Sequence, residues 1–293
     1  MVLSLVVLCR IVVNPVSNVF QKVLTRRAAE PLFVIFVTHG LLSVVCWPVV
    51  AWGLGAGLSG AFWLNMGVVA VLTVASNALL VQAVKLTDLS VLGPVNAYKS
   101  IISLVPGMIL LGEFPGGMGL AGMGLIVGGS YLIVDKAVTE PRQNVFVRFF
   151  TERGVQYRFA AMALSAVEAV FLKKALLLSS PLLTFAFWAV LGFVASAVAV
   201  GVMLRGEVGR EGRKARGSWR TYAWLAVTTG VMQGCTIIVF AGFQVGAALA
   251  LFQTSALVSV LLGYKVFRER NVLERLAGSV VMAGGAVLIV VGR

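Results

Sequence analysis

Charged residues are scarce in this sequence of 293 residues, where 12% of positions are charged and 59% are hydrophobic. A soluble domain carries about a quarter charged residues, so an ordinary soluble enzyme is excluded. Histidine occurs once, at His39, which excludes a histidine-rich metal site or relay. Cys9, Cys46 and Cys235 form no CxxC pair and lie in apolar segments. We therefore expect packing residues rather than a disulfide framework or metal ligands.

Long apolar runs account for most of the chain. A helix that crosses a bilayer needs about 20 mostly apolar residues, and ten runs of that kind are found: 2–24, 31–54, 62–85, 88–111, 117–134, 158–178, 182–204, 221–241, 245–265 and 271–291. The polar stretches 135–157 and 205–220 are too short to form a soluble domain. The sequence predicts an all-α integral membrane protein with ten transmembrane helices.

An internal repeat divides the chain. Residues 89–134 align without a gap with residues 245–290, at a constant offset of 156 positions. The alignment pairs Glu113 with Glu269, Gly122 with Gly278, and Gly128-Gly129 with Gly284-Gly285. Each copy has five spans, an odd number, so the second copy must enter the membrane from the opposite face. Inverted repeats around a midplane site are typical of secondary transporters.

The repeated unit resembles the EamA domain of the drug/metabolite transporter (DMT) superfamily. The resemblance rests on Pro94, Gly112-Glu113, Gly122 and Gly128-Gly129, with Glu269, Gly278 and Gly284-Gly285 in the second copy and Ala250 in place of the proline. It implies two EamA repeats, 1–135 and 158–293, joined by a basic cytoplasmic loop at 136–157. It also implies a central cavity, no ATP site, and substrates such as amino acids, choline, sugars, nucleotide sugars, lipid-linked sugars or drugs.

Most of the positive charge lies on one predicted side. Nineteen of the 24 basic residues fall after spans 1, 3, 5, 7 and 9, against three on the other side. The positive-inside rule then predicts a bacterial-type inner membrane protein with both termini outside, although members of the resembled family are generally drawn with both termini inside. The excess of positive charge therefore indicates the orientation of the helices in the membrane, and we expect no nucleic-acid partner.

Three charged residues, Arg10, Lys99 and Glu168, lie well inside predicted spans. Each costs about 2.5–3.5 kcal/mol at the centre of a helix, which favours a functional role over an ion pair that only fastens helices. The cations would hold an anionic or carboxylate group. Glu168 would accept an amino group or a coupling proton, and no cofactor or metal is expected.

Neutral polar residues accompany these charges and complete the predicted substrate site. Arg10, Asn14, Ser17 and Gln21 form a stripe at helical spacing, as do Asn96, Lys99, Ser100 and Ser103. Gln233, Thr236, Gln253 and Ser255 supply polar groups from the second copy, although such residues also commonly bond helix to helix. Tyr98 and Trp188 are candidates for the cavity wall or for plain packing. Glu113 and Glu269 are expected to cap the following helix or pair with a loop base.

The leading hypothesis is a secondary-active transporter, an exporter or exchanger of small polar, zwitterionic or anionic metabolites that works by alternating access. The alternative is a flippase for a lipid-linked sugar or phospholipid on the same fold. An enzyme is disfavoured because the sequence shows no paired carboxylates, nucleophile motif or Walker loop. The expected partners are the substrate and membrane lipid, and the chain would act as a monomer or homodimer.

Overall fold

The computed structural model describes residues 2–86, 99–135, 153–255, 258 and 272–291, and every element in those ranges is an α-helix. The helices are α1 (Val2–Arg26), α2 (Pro31–Leu54), α3 (Gly60–Leu86), α4 (Lys99–Leu111), α5 (Gly117–Asp135), α6 (Arg153–Leu177), α7 (Pro181–Met203), α8 (Val208–Gly217), α9 (Trp219–Gly242), α10 (Val245–Gln253) and α11 (Val272–Val291). The predicted all-α class is confirmed for these residues.

Five of the described helices are long and apolar enough to cross a membrane. The apolar stretches are Val2–Gln21, Pro31–Leu54, Gly60–Leu80, Pro181–Met203 and Trp219–Gly242, and shorter ones occupy Ile101–Leu111, Gly117–Gly129 and Val280–Ile289. Large apolar side chains on these helices lie exposed, among them Val44 at 76% and Trp52 at 65%. Such a surface suits lipid rather than water. The protein spans the membrane several times, and the count of ten spans stays a prediction.

Proline and a capping residue set the start of two helices. Pro31 and Pro181 stand at the first position of α2 and α7, where the missing N–H costs nothing. Ser180 caps α7 by accepting a hydrogen bond from Leu183 N at 3.3 Å. The sequence predicted both boundaries within one residue.

One compact unit consists of residues 1–77 and 171–242. Within it α1 packs on α9, and α2 packs on α7. Both pairs are antiparallel, because residues later in one helix contact residues earlier in the other. In the α2–α7 pair, for example, Gly192 contacts His39, while Gly53 contacts Leu183.

The other compact unit consists of residues 78–170 and 243–293. Its main contact is between α5 and α11, which cross at four glycines. A methyl group placed on Gly122 would lie 2.6 Å from Gly285 O, and one on Gly129 would lie 2.6 Å from Gly278 O. No side chain fits at that distance, so the two backbones touch directly. The contacts run in opposite directions along the two helices, which are therefore antiparallel.

A glutamate of the first predicted repeat caps a helix of the second. Glu113 Oε2 accepts a hydrogen bond from Val245 N, the first residue of α10, at 2.7 Å. Gln244 Nε2 donates to Phe114 O beside it, at 3.1 Å. Glu113 was predicted to cap the following helix or pair with a loop base, whereas this hydrogen bond caps α10, which lies far along the chain. Glu269 lies outside the described residues.

The polar stretch 205–220, predicted as a loop, contains the short helix α8. Hydropathy analysis missed it because five of its ten residues are charged and three are glycine. It links the end of α7 to the start of α9.

Candidate functional site

The structure places the predicted site residues in two groups, one in each unit. The unit of residues 1–77 and 171–242 holds Arg10, Asn14, Ser17, Trp188 and Gln233. The unit of residues 78–170 and 243–293 holds Lys99, Glu168, Gln253 and Ser255. Asn96 and Tyr98 lie outside the described residues. The assignment of all of these residues to a substrate site stays a prediction.

Arg10 makes a defined polar contact inside an apolar span. Its Nε donates a hydrogen bond to Thr236 Oγ1 on α9, at 2.8 Å. The hydroxyl of Thr236 donates in turn to Met232 O, at 2.8 Å, so its proton is committed and a lone pair faces the arginine. A guanidinium has five N–H donors in a rigid plane. The Nε bond therefore orients that plane.

A second polar contact lies two helical turns away. Ser17 Oγ and Thr229 Oγ1 are 3.0 Å apart. Ser17 lies seven residues after Arg10 on α1, and Thr229 lies seven residues before Thr236 on α9. Asn14 on α1 and Gln233 on α9 lie between the two contacts in sequence, and both are half-buried. The predicted stripe on α1 therefore faces α9, and these residues form a polar interface that we call the α1–α9 ladder.

Two cysteines lie beside the ladder. The thiol of Cys235 on α9 lies close to that of Cys9 on α1, and both are half-buried cysteines outside any disulfide. They are adjacent in sequence to Thr236 and Arg10, respectively. Sequence analysis treated the cysteines separately and missed their proximity, because nothing in a 226-residue separation indicates it.

Trp188 packs in the α2–α7 interface against the single histidine. The two rings lie 4.5 Å apart between centroids, and His39 Nδ1 is 3.3 Å from Ala189 O, which also accepts from Ser43 Oγ at 3.0 Å. Trp188 is 6% exposed, and its buried Nε1 has no hydrogen-bond partner among the described residues. His39 was not predicted as part of the site, and its contacts identify it as a packing residue.

In the other unit, the polar residues accompany α4, α6 and α10. Lys99 begins the described part of α4, and Glu168 lies in the C-terminal half of α6; both are half-buried. Ser103, one turn from Lys99, is fully buried, and Ser255 is buried just beyond α10. The deep charges are thus divided between the units, with Arg10 in one and Lys99 and Glu168 in the other.

Metal-binding side chains are dispersed in the described part of the chain. Among residues 2–86, 99–135, 153–255 and 272–291, no group of three or more His, Cys, Asp or Glu residues lies close enough to hold a metal ion. The polar groups of the predicted site are a guanidinium, an ammonium, a carboxylate, hydroxyls and amides, which suit charged and hydrogen-bonding solutes.

Comparison with known proteins identifies the fold and gives a family match for the first predicted repeat. A solved crystal structure, described only as that of a protein, superposes with a TM-score of 0.72 at 16% identity, over 99% of this chain and 96% of that chain. At this identity the similarity shows the fold, and it extends over both halves. No curated protein matches the sequence. Residues 5–135 match the EamA-like transporter family, which confirms the predicted resemblance to the EamA domain over the first repeat.

Proposed function

We propose that the protein is a secondary-active transporter, an exporter or exchanger of small polar, zwitterionic or anionic metabolites. The observation that carries this proposal is the Arg10–Thr236 contact in a transporter fold. A cation inside an apolar span costs about 2.5–3.5 kcal/mol. A side chain that is costly and held in a fixed plane suits recognition of a carboxylate or another planar anion.

Alternating access between two inverted repeats would supply the mechanism. The α5–α11 crossing supports the inverted repeat, because the offset of 156 positions converts one of its glycine contacts into the other. Gly122 and Gly285 have Gly278 and Gly129 as their repeat mates, and those two residues form the second contact. Two equivalent helices that pack antiparallel are related by a two-fold axis perpendicular to them. For helices that cross the membrane, that axis lies in the membrane plane, as in inverted-repeat transporters that work by alternating access.

The predicted roles follow from the chemistry of each group. Arg10 and Lys99 are each proposed to bind an anionic group, and Glu168 an amino group or a coupling proton. The hydroxyls and amides would supply further hydrogen bonds, and Trp188 would donate through Nε1. These neutral residues are Asn14, Ser17, Asn96, Gln233, Gln253 and Ser255. Tyr98 and Trp188 stay candidates for a cavity wall, and no cofactor is expected.

A ligand screen tests the site. We expect purified protein to be stabilised against heat by carboxylate-bearing solutes in a panel of amino acids, quaternary amines, sugars and nucleotides. Arg10→Gln should weaken that binding about tenfold to a hundredfold, since a hydrogen bond to a charged group contributes about 1.5–3 kcal/mol. The matched control, Arg10→Lys, keeps the charge and should retain part of the binding.

Transport assays separate the remaining alternatives. In proteoliposomes, unchanged uptake by the Arg10→Gln variant would remove Arg10 from the site. Glu168→Gln should abolish or uncouple flux, whereas pH-dependent flux retained in that variant would exclude Glu168 as the proton carrier. Translocation of a lipid-linked sugar without flux of any soluble solute would establish the flippase instead.

The proposed topology places both termini outside a bacterial-type inner membrane. Its support is the basic excess in the loops after odd-numbered spans. Two of those loops meet in one unit, where Arg27 Nη1 donates to Ser218 Oγ at 3.2 Å. A C-terminal reporter that is active only in the cytoplasm should stay silent, and its activity would reverse the assignment.

A further inference from the structure

The short helix α8 is anchored by a buried glutamate. Glu211 is 1% exposed, and its Oε2 accepts a hydrogen bond from Glu30 N at 2.9 Å. Lys214 Nζ donates to Glu211 Oε1 and to Ala28 O, each at 2.6 Å. Ala215, one turn from Glu211, packs against the apolar cluster of Leu24, Ala29, Val34, Tyr222 and Leu225. One face of α8 is therefore fastened to the α1–α2 connection.

The opposite face of α8 presents arginines. At 100° per residue, Arg213 lies nearly opposite Glu211, and Arg210 and Arg216 flank it. All three are exposed. Arg210 pairs with Glu207 at 2.8 Å, whereas Arg213 and Arg216 have no acidic partner within the described residues. The fastening of the buried face fixes the direction in which these cations point.

The position of α8 places this face at the membrane surface. The helix joins two apolar spans, one ending at Met203 and the other starting at Trp219. Trp219 is 63% exposed, and Arg220 lies over its ring at 5.7 Å. Exposed tryptophan beside arginine at the end of a span is typical of the headgroup region of a bilayer. The segment 205–220 contains six basic and two acidic residues, so the surface is strongly positive.

We propose that the face formed by Arg210, Arg213, Arg216, Trp219 and Arg220 is a binding surface for anionic phospholipid headgroups. The arginines meet the phosphates and Trp219 lies among the glycerol and upper acyl groups. The anchor through Glu211 distinguishes this surface from an unstructured basic loop, because the cations are held in place before lipid arrives. This inference is independent of the transported substrate.

Competitive lipid retention tests the proposal. The purified protein is equilibrated with equal amounts of phosphatidylglycerol and phosphatidylcholine in neutral detergent, and native mass spectrometry counts each bound lipid. We expect phosphatidylglycerol to be retained preferentially. Each basic residue near an anionic surface contributes about 1 kcal/mol, so Arg213→Gln should lower that preference about fivefold, and Arg213→Gln with Arg216→Gln should lower it further.

A matched control removes one charge elsewhere. Lys174 lies in the last turn of α6, on the predicted side of the membrane that carries few basic residues, and Lys174→Gln should leave the lipid preference unchanged. Glu211→Gln, which keeps every arginine but weakens the anchor, should reduce the preference in a protein that still elutes as a folded species. Equal losses in the Lys174 and Arg213 variants would overturn the proposal, as would displacement of the lipid by millimolar glycerol phosphate, which would indicate a site for free phosphate instead.

Discussion

In the unit of residues 1–77 and 171–242, α1 contacts α9 through side-chain hydrogen bonds. In the other unit, by contrast, the backbones of α5 and α11 touch directly at glycines. Both contacts join antiparallel helices in an apolar solvent. The glycine crossing gains its stability from close packing, which is lost as soon as either helix shifts. The α1–α9 ladder consists of polar groups that can exchange one partner for another. The comparison teaches that one unit joins its helices by direct backbone packing and the other by hydrogen bonds between side chains.

The glycine crossing should be the more sensitive of the two contacts. Gly122→Ala places a methyl group 2.6 Å from Gly285 O, and because a backbone atom cannot rotate away, we expect a loss of about 3 kcal/mol or more. Gly124→Ala, on the same helix with open space around it, is the matched control. Thermal unfolding in detergent measures both, and equal melting temperatures would show that α5 and α11 are not in direct contact.

The α2–α7 interface lies between these extremes, since a side chain meets a glycine there. Gly192→Ala would drive a methyl group into the His39 ring, and we expect a loss of about 1–3 kcal/mol, because a side chain can yield partly. Gly201→Ala, on the same helix with nothing nearby, should be neutral. In the double variant His39→Ala, Gly192→Ala, the two losses should be less than additive. Full additivity would contradict the contact.

A cross-link tests the register of the α1–α9 ladder with little effect on stability. In a Cys46→Ser background, mild oxidation with copper phenanthroline should join Cys9 to Cys235, whose thiols lie close together. The product is an intramolecular disulfide that proteolysis and mass spectrometry identify. If Cys9 stays alkylatable under conditions that oxidise an accessible thiol pair, the register is wrong.

The smallest expected effect concerns the polar end of the same unit. Burial raises the pKa of Glu211, but hydrogen bonds from Lys214 and from Glu30 N and the charges of Lys214 and Arg210 outweigh it, so the net pKa lies below its ordinary value of 4.5. A depressed carboxyl pKa stabilises the folded protein above the unfolded value, and that contribution is lost as the pH falls through the folded value. The melting temperature should therefore fall more steeply below about pH 4.5 in the wild type than in Glu211→Gln. Parallel curves would exclude Glu211 as the group responsible.

Hydropathy and local signals predicted much of the fold. A run of about 20 apolar residues predicts a helix that crosses the membrane. Two such runs begin at or beside Pro31 and Pro181, so the starts of α2 and α7 could be predicted within one residue. The stripe of Arg10 and Ser17 could be predicted as well, because helical spacing alone puts both on one face. Of the paired glycines, Gly129 and Gly285 lie at the α5–α11 crossing, whereas Gly128 and Gly284 have open space around them.

What could not be predicted depends on partners distant in sequence. Nothing local shows that Arg10 would contact Thr236 or that Glu113 would cap α10. Thr229 and His39 carry no signal of their own, since a threonine or a histidine in an apolar helix is compatible with many neighbours. The helix α8 could not be predicted because its glycines disfavour a helix, and the contacts of Glu211 and Ala215 with distant residues stabilise it.

The α5–α11 crossing also has a consequence for biosynthesis. Because α5 leaves the ribosome long before α11, its glycine face enters the bilayer without the helix that covers it. Until α11 is made, Gly122 and Gly129 face lipid or a chaperone, and α10 has not yet reached the carboxylate of Glu113. Assembly of this unit therefore depends on the last described helix. A chain interrupted before Val272 would leave the glycine face of α5 without its partner helix, which membrane quality control can recognise.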